Sequence, residues 1–165
     1  MEITAEWHPL GAGDLDELCA IAAFAHPDLP ERVEVFAEKL RLFPEGCLKF
    51  LLGGRMAGYG LSHPWALNAV PRLDAFLGPL PAAPGCLFIH DVALLPAARG
   101  RGAAHAFARH AEALARDRGL RRLALVAVYG TARLWARLGF RPARPAGLDL
   151  SGYGQDAEYM VKELV

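Results

Sequence analysis

The sequence predicts an α/β (α+β) fold, a mixed and mostly antiparallel central sheet of about seven strands flanked by about four helices. Three observations lead there. Apolar runs on either side of Gly53-Gly54-Arg55 read as a hairpin, because a Gly-Gly turn suits the twist of paired strands. A long amphipathic stretch lies between two buried apolar runs, which makes a βαβ crossover. Short apolar runs at the start and end of the chain supply further strands.

Taken in order, Ile3 to His8 opens as a short strand. A helix begins at Asp14, with Glu17 in capping-box spacing and Leu15, Leu18, Cys19 and Ala22 as its apolar stripe. A second helix is expected from near Asp28, again with an acid, Glu31, at the third position. Val33, Phe36, Ala37 and Leu40 form its buried face, and Pro44 with Gly46 ends it. Cys47 to Leu52 and Met56 to Ser62 are the hairpin strands. The segment His63 to Gly85 contains five prolines and no period. It reads as a loop with one short helical turn around Val70 to Phe76, and a loop this long is usually functional or mobile.

Cys86 to Leu95 is a strongly apolar strand interrupted by His90-Asp91. The helix from Gly102 to Arg118 turns Phe107, Ala111 and Leu114 inward and sets Glu112 and Arg116 as an outer i,i+4 pair. Leu123 to Val128 is a buried strand, and Thr131 to Leu138 is a short helix closed by Gly139. Strands at Arg141 to Arg144 and Glu158 to Leu164 complete the chain. No repeat or linker divides it, so one domain over residues 1–165 is expected.

A chain of 165 residues, 53% hydrophobic and 22% charged, can bury a core and is neither disordered nor fibrous in composition. A formal net charge of zero removes the electrostatic case for a nucleic-acid binder, and no basic face suggests a membrane surface. The three cysteines, Cys19, Cys47 and Cys86, form no C-x-x-C pair, so neither a zinc site nor a disulfide framework is implied. They read as small buried hydrophobes in a reducing, cytoplasmic setting. The polar, acidic opening Met1-Glu2-Ile3-Thr4 predicts no signal peptide, and no apolar run approaches the ~20 residues of a membrane span.

The run Leu94-Leu95-Pro96-Ala97-Ala98-Arg99-Gly100-Arg101-Gly102-Ala103-Ala104 carries the functional argument. A buried strand delivers the chain to a turn, two glycines let it curl, and a helix begins at once. Outward N–H groups with a helix dipole behind them suit a phosphate or pyrophosphate. A P-loop would need Gly-Lys followed by Ser or Thr, which is absent. A dinucleotide fingerprint would place its last small residue at His105, too bulky for a close helix–strand contact. The remaining pattern is (Gln/Arg)-x-x-Gly-x-(Gly/Ala), met by Arg99, Gly102 and Ala104.

Here the chain resembles the GNAT superfamily of N-acetyltransferases. Ala132-Arg133-Leu134-Trp135-Ala136-Arg137-Leu138-Gly139-Phe140 resembles the family's second motif, a helix ending in Leu-Gly-Phe. The resemblance implies a sheet splayed between strands four and five, and acetyl-CoA as cosubstrate with no metal. The CoA pyrophosphate would sit on N–H groups of Arg99, Gly100, Arg101, Gly102, Ala103 and Ala104. The pantetheine would run beside Val92, Ala93 and Leu94, and Trp135 would pack against it or against the sheet. The family often dimerises, so a homodimer is a further implication.

Direct attack by an alkyl amine needs the neutral form, and its pKa is ~10, so a base is called for. His90 and Asp91 lie where the family often places one. Adjacent strand residues face opposite ways, so only one is expected to reach the cleft, and His90 suits the task. His63, bordering the long loop, is the second candidate base. Many members carry a tyrosine where this chain has Trp135, which cannot protonate a leaving thiolate; Tyr129 is the nearest phenol. The acceptor pocket is expected between the second helix, Tyr59 and the segment His63 to Phe76, acting as a lid or as a packed loop. The leading expectation is acetylation of a small-molecule primary amine. A protein or peptide amine acetyltransferase, a noncatalytic acyl-CoA-binding module and a nucleotide-phosphate-binding regulatory domain are the alternatives.

Overall fold

The computed structural model describes residues 2–165. Among the described residues, seven strands form one sheet in the order β1-β2-β3-β4-β5-β7-β6. They are β1 Ala5–Pro9, β2 Cys47–Leu52, β3 Arg55–Trp65, β4 Cys86–Leu94, β5 Arg122–Ala127, β6 Arg141–Pro142 and β7 Glu158–Glu163. The helices are α1 Leu15–Ala25, α2 Val33–Leu42, α3 Ala103–Asp117 and α4 Ala132–Arg137. Only β4 and β5 pair in parallel, as the βαβ crossover through α3 requires; the other neighbours are antiparallel.

Gly53 and Gly54 both have positive φ, 59° and 80°, the backbone needed to close the β2–β3 hairpin tightly. One sheet face carries Leu87, Ile89, Leu123 and Leu125 against Phe107, Ala108 and Ala111 of α3. The other carries Tyr59 and Leu61 against Leu18, Ile21 and Phe36 of α1 and α2. Gly60 is what lets α3 settle: a Cβ there would meet the Phe107 ring at 2.2 Å. The outer pair of α3 forms as expected, with Arg116 3.6 Å from Glu112, which also receives Lys162 from β7.

Several boundaries differ from the sequence reading for identifiable reasons. The helix expected from Asp28 starts at Val33, because Pro27 and Pro30 hold the preceding residues out of helical conformation. Asp14 does not form a capping box with Glu17; it accepts from the Gly11 N–H and pairs with Lys49 of β2. The third strand continues to Trp65, since β4 goes on pairing with His63, Pro64 and Trp65. No helical turn forms at Val70 to Phe76, where Asp74 adopts φ 53°.

The long loop is a packed one. Glu38 of α2 accepts the N–H groups of Leu77 and Gly78, and Glu31 accepts that of Asp74. Arg32 grips Asp74, while the phenols of Tyr153 and Tyr159 bind the backbone at Pro71 and Asn68. Carboxylates satisfying backbone donors at these points hold the segment against α2 and the sheet.

Candidate active site

Pairing between β4 and β5 spans only Leu87–Ile89 with Leu123–Leu125. Beyond that β4 runs on to Leu94 and β5 to Ala127, and the strands part. The register on the other side of β4 slips at the same place: Ser62 lies opposite Ile89 and Leu61 opposite Asp91, leaving His90 as an inserted residue. Such a β-bulge bends its strand and re-aims its side chains. It accounts for the splay, and it overturns the expectation that only one of His90 and Asp91 could face the cleft. Both line it, on the face shared with Tyr59, Leu61 and His63.

The resulting cleft has a volume of about 420 Å³. Its walls include Val92, Ala93 and Leu94 on the free edge of β4, Arg99 and Ala104 from the glycine turn, and Trp135 from α4. Gly100, Arg101, Gly102 and Ala103 lie between Arg99 and Ala104. Gly100 and Gly102 take φ 73° and 74°. The first bond into α3 runs from the Ala106 N–H to Gly102 O, so the preceding N–H groups have no intrahelical acceptor. The backbone therefore leaves N–H groups without intrahelical acceptors at the start of α3, and such a turn has the chemistry to fit a pyrophosphate. Arg99 and Arg101 brace the turn instead of standing free, donating from Nε to Leu94 O and Ala97 O.

Deeper in, ionisable groups converge. Asp91 accepts from His26 Nε2 at 2.8 Å and from the Tyr59 hydroxyl. His90 lies 3.4 Å from His63 through Nδ1 and 3.7 Å from Glu31 through Nε2. Burial lifts Asp91, but its bonds to His26 and Tyr59 outweigh that and hold it below the usual carboxylate range. Burial also pulls His26 down, and the Asp91 partner reverses the sign, leaving His26 above its ordinary value. His90 goes the other way: burial first, then the positive charge of Lys39, keep it below its ordinary value. Burial likewise drives His63 down to about 3. Lys39 is itself buried, its pKa lowered by burial, with Glu31, Glu38 and Asp91 opposing the shift.

Tyr129, with φ 53°, turns its ring onto His26 at 5.6 Å, and its hydroxyl accepts the Asp28 N–H at 3.1 Å. The sequence left it in a loop with no defined direction; the structure makes it part of the cleft wall. His26, Lys39 and Tyr153 were not singled out for chemistry, and Glu31 was assigned to a helix cap. His26 and Glu31 come from the α1–α2 connection and Tyr153 from the one before β7, where no periodicity or spacing signals a role.

The family model described as Acetyltransferase (GNAT) family matches residues 14–140. The chain belongs to the GNAT acetyltransferase family. No curated protein matches it in sequence. Among solved structures, the loading GNATL domain of CurA from Lyngbya majuscula is similar at a TM-score of 0.78 and 12% identity, over 97% of this chain and 98% of that one. The GNAT-like decarboxylase GphF, in complex with isobutyryl-CoA, gives 0.77 and 19% over 97% and 100%. Arabidopsis thaliana Naa50, in complex with the bisubstrate analogue CoA-Ac-MVNAL, gives 0.72 and 11% over 97% and 99%. Identities this low establish the shared fold alone.

Within this GNAT fold, Trp135 is contributed by α4. It packs edge-on against Phe140 at 5.6 Å while forming part of the cleft wall. The glycine turn offers a clean perturbation. A Cβ at Gly102 meets nothing within 4 Å, so the first side-chain atom of a Gly102→Val substitution has room and the positive φ is its source of strain. Left-handed backbone costs a branched residue about 1–2 kcal/mol. Gly102→Val should weaken acetyl-CoA binding, measured by calorimetry, through a displaced N–H cradle, with only a small loss in melting temperature.

Proposed function

We propose that this protein transfers an acetyl group from acetyl-CoA to a primary amine of a small molecule, by direct attack with both substrates bound. The observation that carries the reading is the parting of β4 and β5 at the His90 bulge, with an anion cradle on one wall and ionisable groups on another. In this reading the N–H groups from Arg99 to Ala104 hold the pyrophosphate, and the free edge of β4 at Val92, Ala93 and Leu94 pairs with the pantetheine. Acetyl-CoA supplies an acetyl group activated as a thioester, whose thiolate leaves with a pKa of ~8.5 and needs no strong acid at neutral pH.

His90 removes the ammonium proton of the acceptor. Groups with pKa values pushed apart divide acid and base roles between them. His90, held below its ordinary value, is neutral and ready at pH 7, whereas His26, raised by Asp91, is committed to an ion pair. The acceptor enters beside Leu29, Leu73 and Tyr153, where the packed loop and the α1–α2 connection bound the cleft.

Thermal melts with acetyl-CoA, CoA, NAD and ATP test the cosubstrate. Ligand at ~100 times its Kd stabilises by about 2.7 kcal/mol, which is several degrees for a domain of this size. A shift with acetyl-CoA is expected; no shift with acetyl-CoA or CoA overturns the reading. A panel of small amines and peptide N-terminal amines, followed by release of free thiol, then identifies the acceptor. Thiol release with peptides only would correct the acceptor class, and binding without release from any amine would make this a noncatalytic module.

A further inference from the structure

His90 in the cleft wall and His63 packed behind it on β3 are linked to the backbone through their ring nitrogens. His63 is fully buried on β3 between the rings of Trp65 and Phe88. Its Nδ1 lies 3.1 Å from Pro64 O, and its Nε2 lies 3.4 Å from His90 Nδ1. A carbonyl oxygen can only accept, so His63 Nδ1 carries the proton. Burial keeps His63 at about 3, so it holds no second proton near neutral pH. Its Nε2 is therefore a lone pair, and the hydrogen bond between the rings must be donated by His90 from Nδ1. A neutral imidazole has one proton, so Nε2 of His90 is left bare. That nitrogen is buried with no hydrogen-bond partner, 3.7 Å from Glu31 Oε1. Glu31 is fixed in turn by the Asp74 N–H on its other oxygen, at 3.0 Å.

We propose that His63 is a positioning residue that relays the Pro64 carbonyl to His90, locking His90 in its Nδ1–H tautomer with Nε2 as the proton acceptor. The catalytic consequence rests on the acetyltransferase reading above; the tautomer does not. The opposite neutral tautomers would set two lone pairs, those of His63 Nδ1 and Pro64 O, against each other at 3.1 Å. Protonation at Nε2 completes the chain instead. His90 then points one N–H toward Glu31 and the other to His63, which keeps its own on Pro64 O. The charged and titratable groups around His90 are Glu31 from the α1–α2 connection, Lys39 from α2, His63 from β3 and Asp91 beside it, with His26 and Tyr59 on Asp91. The site thus holds a bare, buried nitrogen in the resting state, with a carboxylate beside it to receive the charge.

Imidazole ¹⁵N shifts of the labelled full-length protein near neutral pH read the tautomers directly. Both His63 and His90 are expected as Nδ1–H; His90 found as Nε2–H overturns the relay. His63→Leu should move His90 to Nε2–H toward Glu31 and lower kcat at least about tenfold, with KM for acetyl-CoA unchanged. His63→Gln, whose amide oxygen can accept from His90 Nδ1, should restore most of the rate. An unchanged tautomer and rate in His63→Leu would also refute the proposal. If His63→Leu fails to fold, as its melt would show, the wild-type spectrum decides alone. Failure of acetyl-CoA to bind would remove the acetyltransferase reading, and the wild-type spectrum would still decide for or against the relay.

Discussion

His90→Gln should lower kcat by about 10²–10⁴-fold, the usual contribution of a positioned general base, while the Kd for acetyl-CoA holds. The separation follows from geography. In the proposed reading acetyl-CoA is held by backbone N–H groups of the glycine turn, whereas His90 is the inserted residue of the β4 bulge. Glutamine keeps a polar side chain near Glu31 and His63 but cannot accept an ammonium proton at neutral pH. In the wild type the rate should rise with pH through the lowered pKa of His90 and level off below the ~6.5 of an ordinary histidine. Steady-state kinetics by thiol release measures both effects. A His90→Gln enzyme with undiminished kcat would remove His90 from the mechanism.

Asp91→Ala should cost about 3–5 kcal/mol of stability, as expected for removing one partner of a buried ion pair. His26 would lose its counter-charge and the Tyr59 hydroxyl its acceptor. At about 2–4 °C per kcal/mol for a domain of this size, the melting temperature should fall by roughly 10 °C. The loss depends on pH with a definite sign. His26 has a folded pKa above its unfolded value, so its contribution is full below ~6.5 and disappears as pH rises through the raised pKa. Asp91 has a folded pKa below its unfolded value, so its contribution is full above ~3.9 and disappears as pH falls through the lowered one. The gap between wild type and Asp91→Ala should therefore be wider at mildly acidic pH than at alkaline pH. Denaturant midpoints across that range test it, and an equal gap throughout would refute the ion pair.

The glycine turn was legible in the residues because its geometry is local. Positive φ at Gly100 and Gly102 and a helix starting at Ala103 are properties of consecutive residues, and backbone N–H groups need no distant partner. The hairpin at Gly53-Gly54, the α3 stripe around Phe107 and Ala111, and the helix ending before Gly139 were legible for the same reason. Trp135 was expected to pack against the pantetheine or the sheet; it packs edge-on against Phe140 and lines the cleft.

The cluster of ionisable groups was only half visible. His90, Asp91 and His63 stood out as polar residues in apolar strands, yet strict alternation implied that His90 and Asp91 diverge. A bulge is invisible in sequence because it is a mismatch of register with another strand, here one inserted residue between Ile89 and Asp91 against Ser62 and Leu61. His26 and Glu31 were hidden because Pro27 and Pro30 break the helical pattern without saying where the broken segment goes.

The sequence by itself determined the order of elements, the single parallel crossover and the glycine turn that opens α3, all of which follow from periodicity and glycine chemistry between neighbouring residues. Only the tertiary structure decided which ionisable groups meet. Burial depresses His90 and His63, while a partner brought from the α1–α2 connection raises His26. Those opposite shifts arise from desolvation and from charges distant along the chain, and neither quantity exists until the chain has folded.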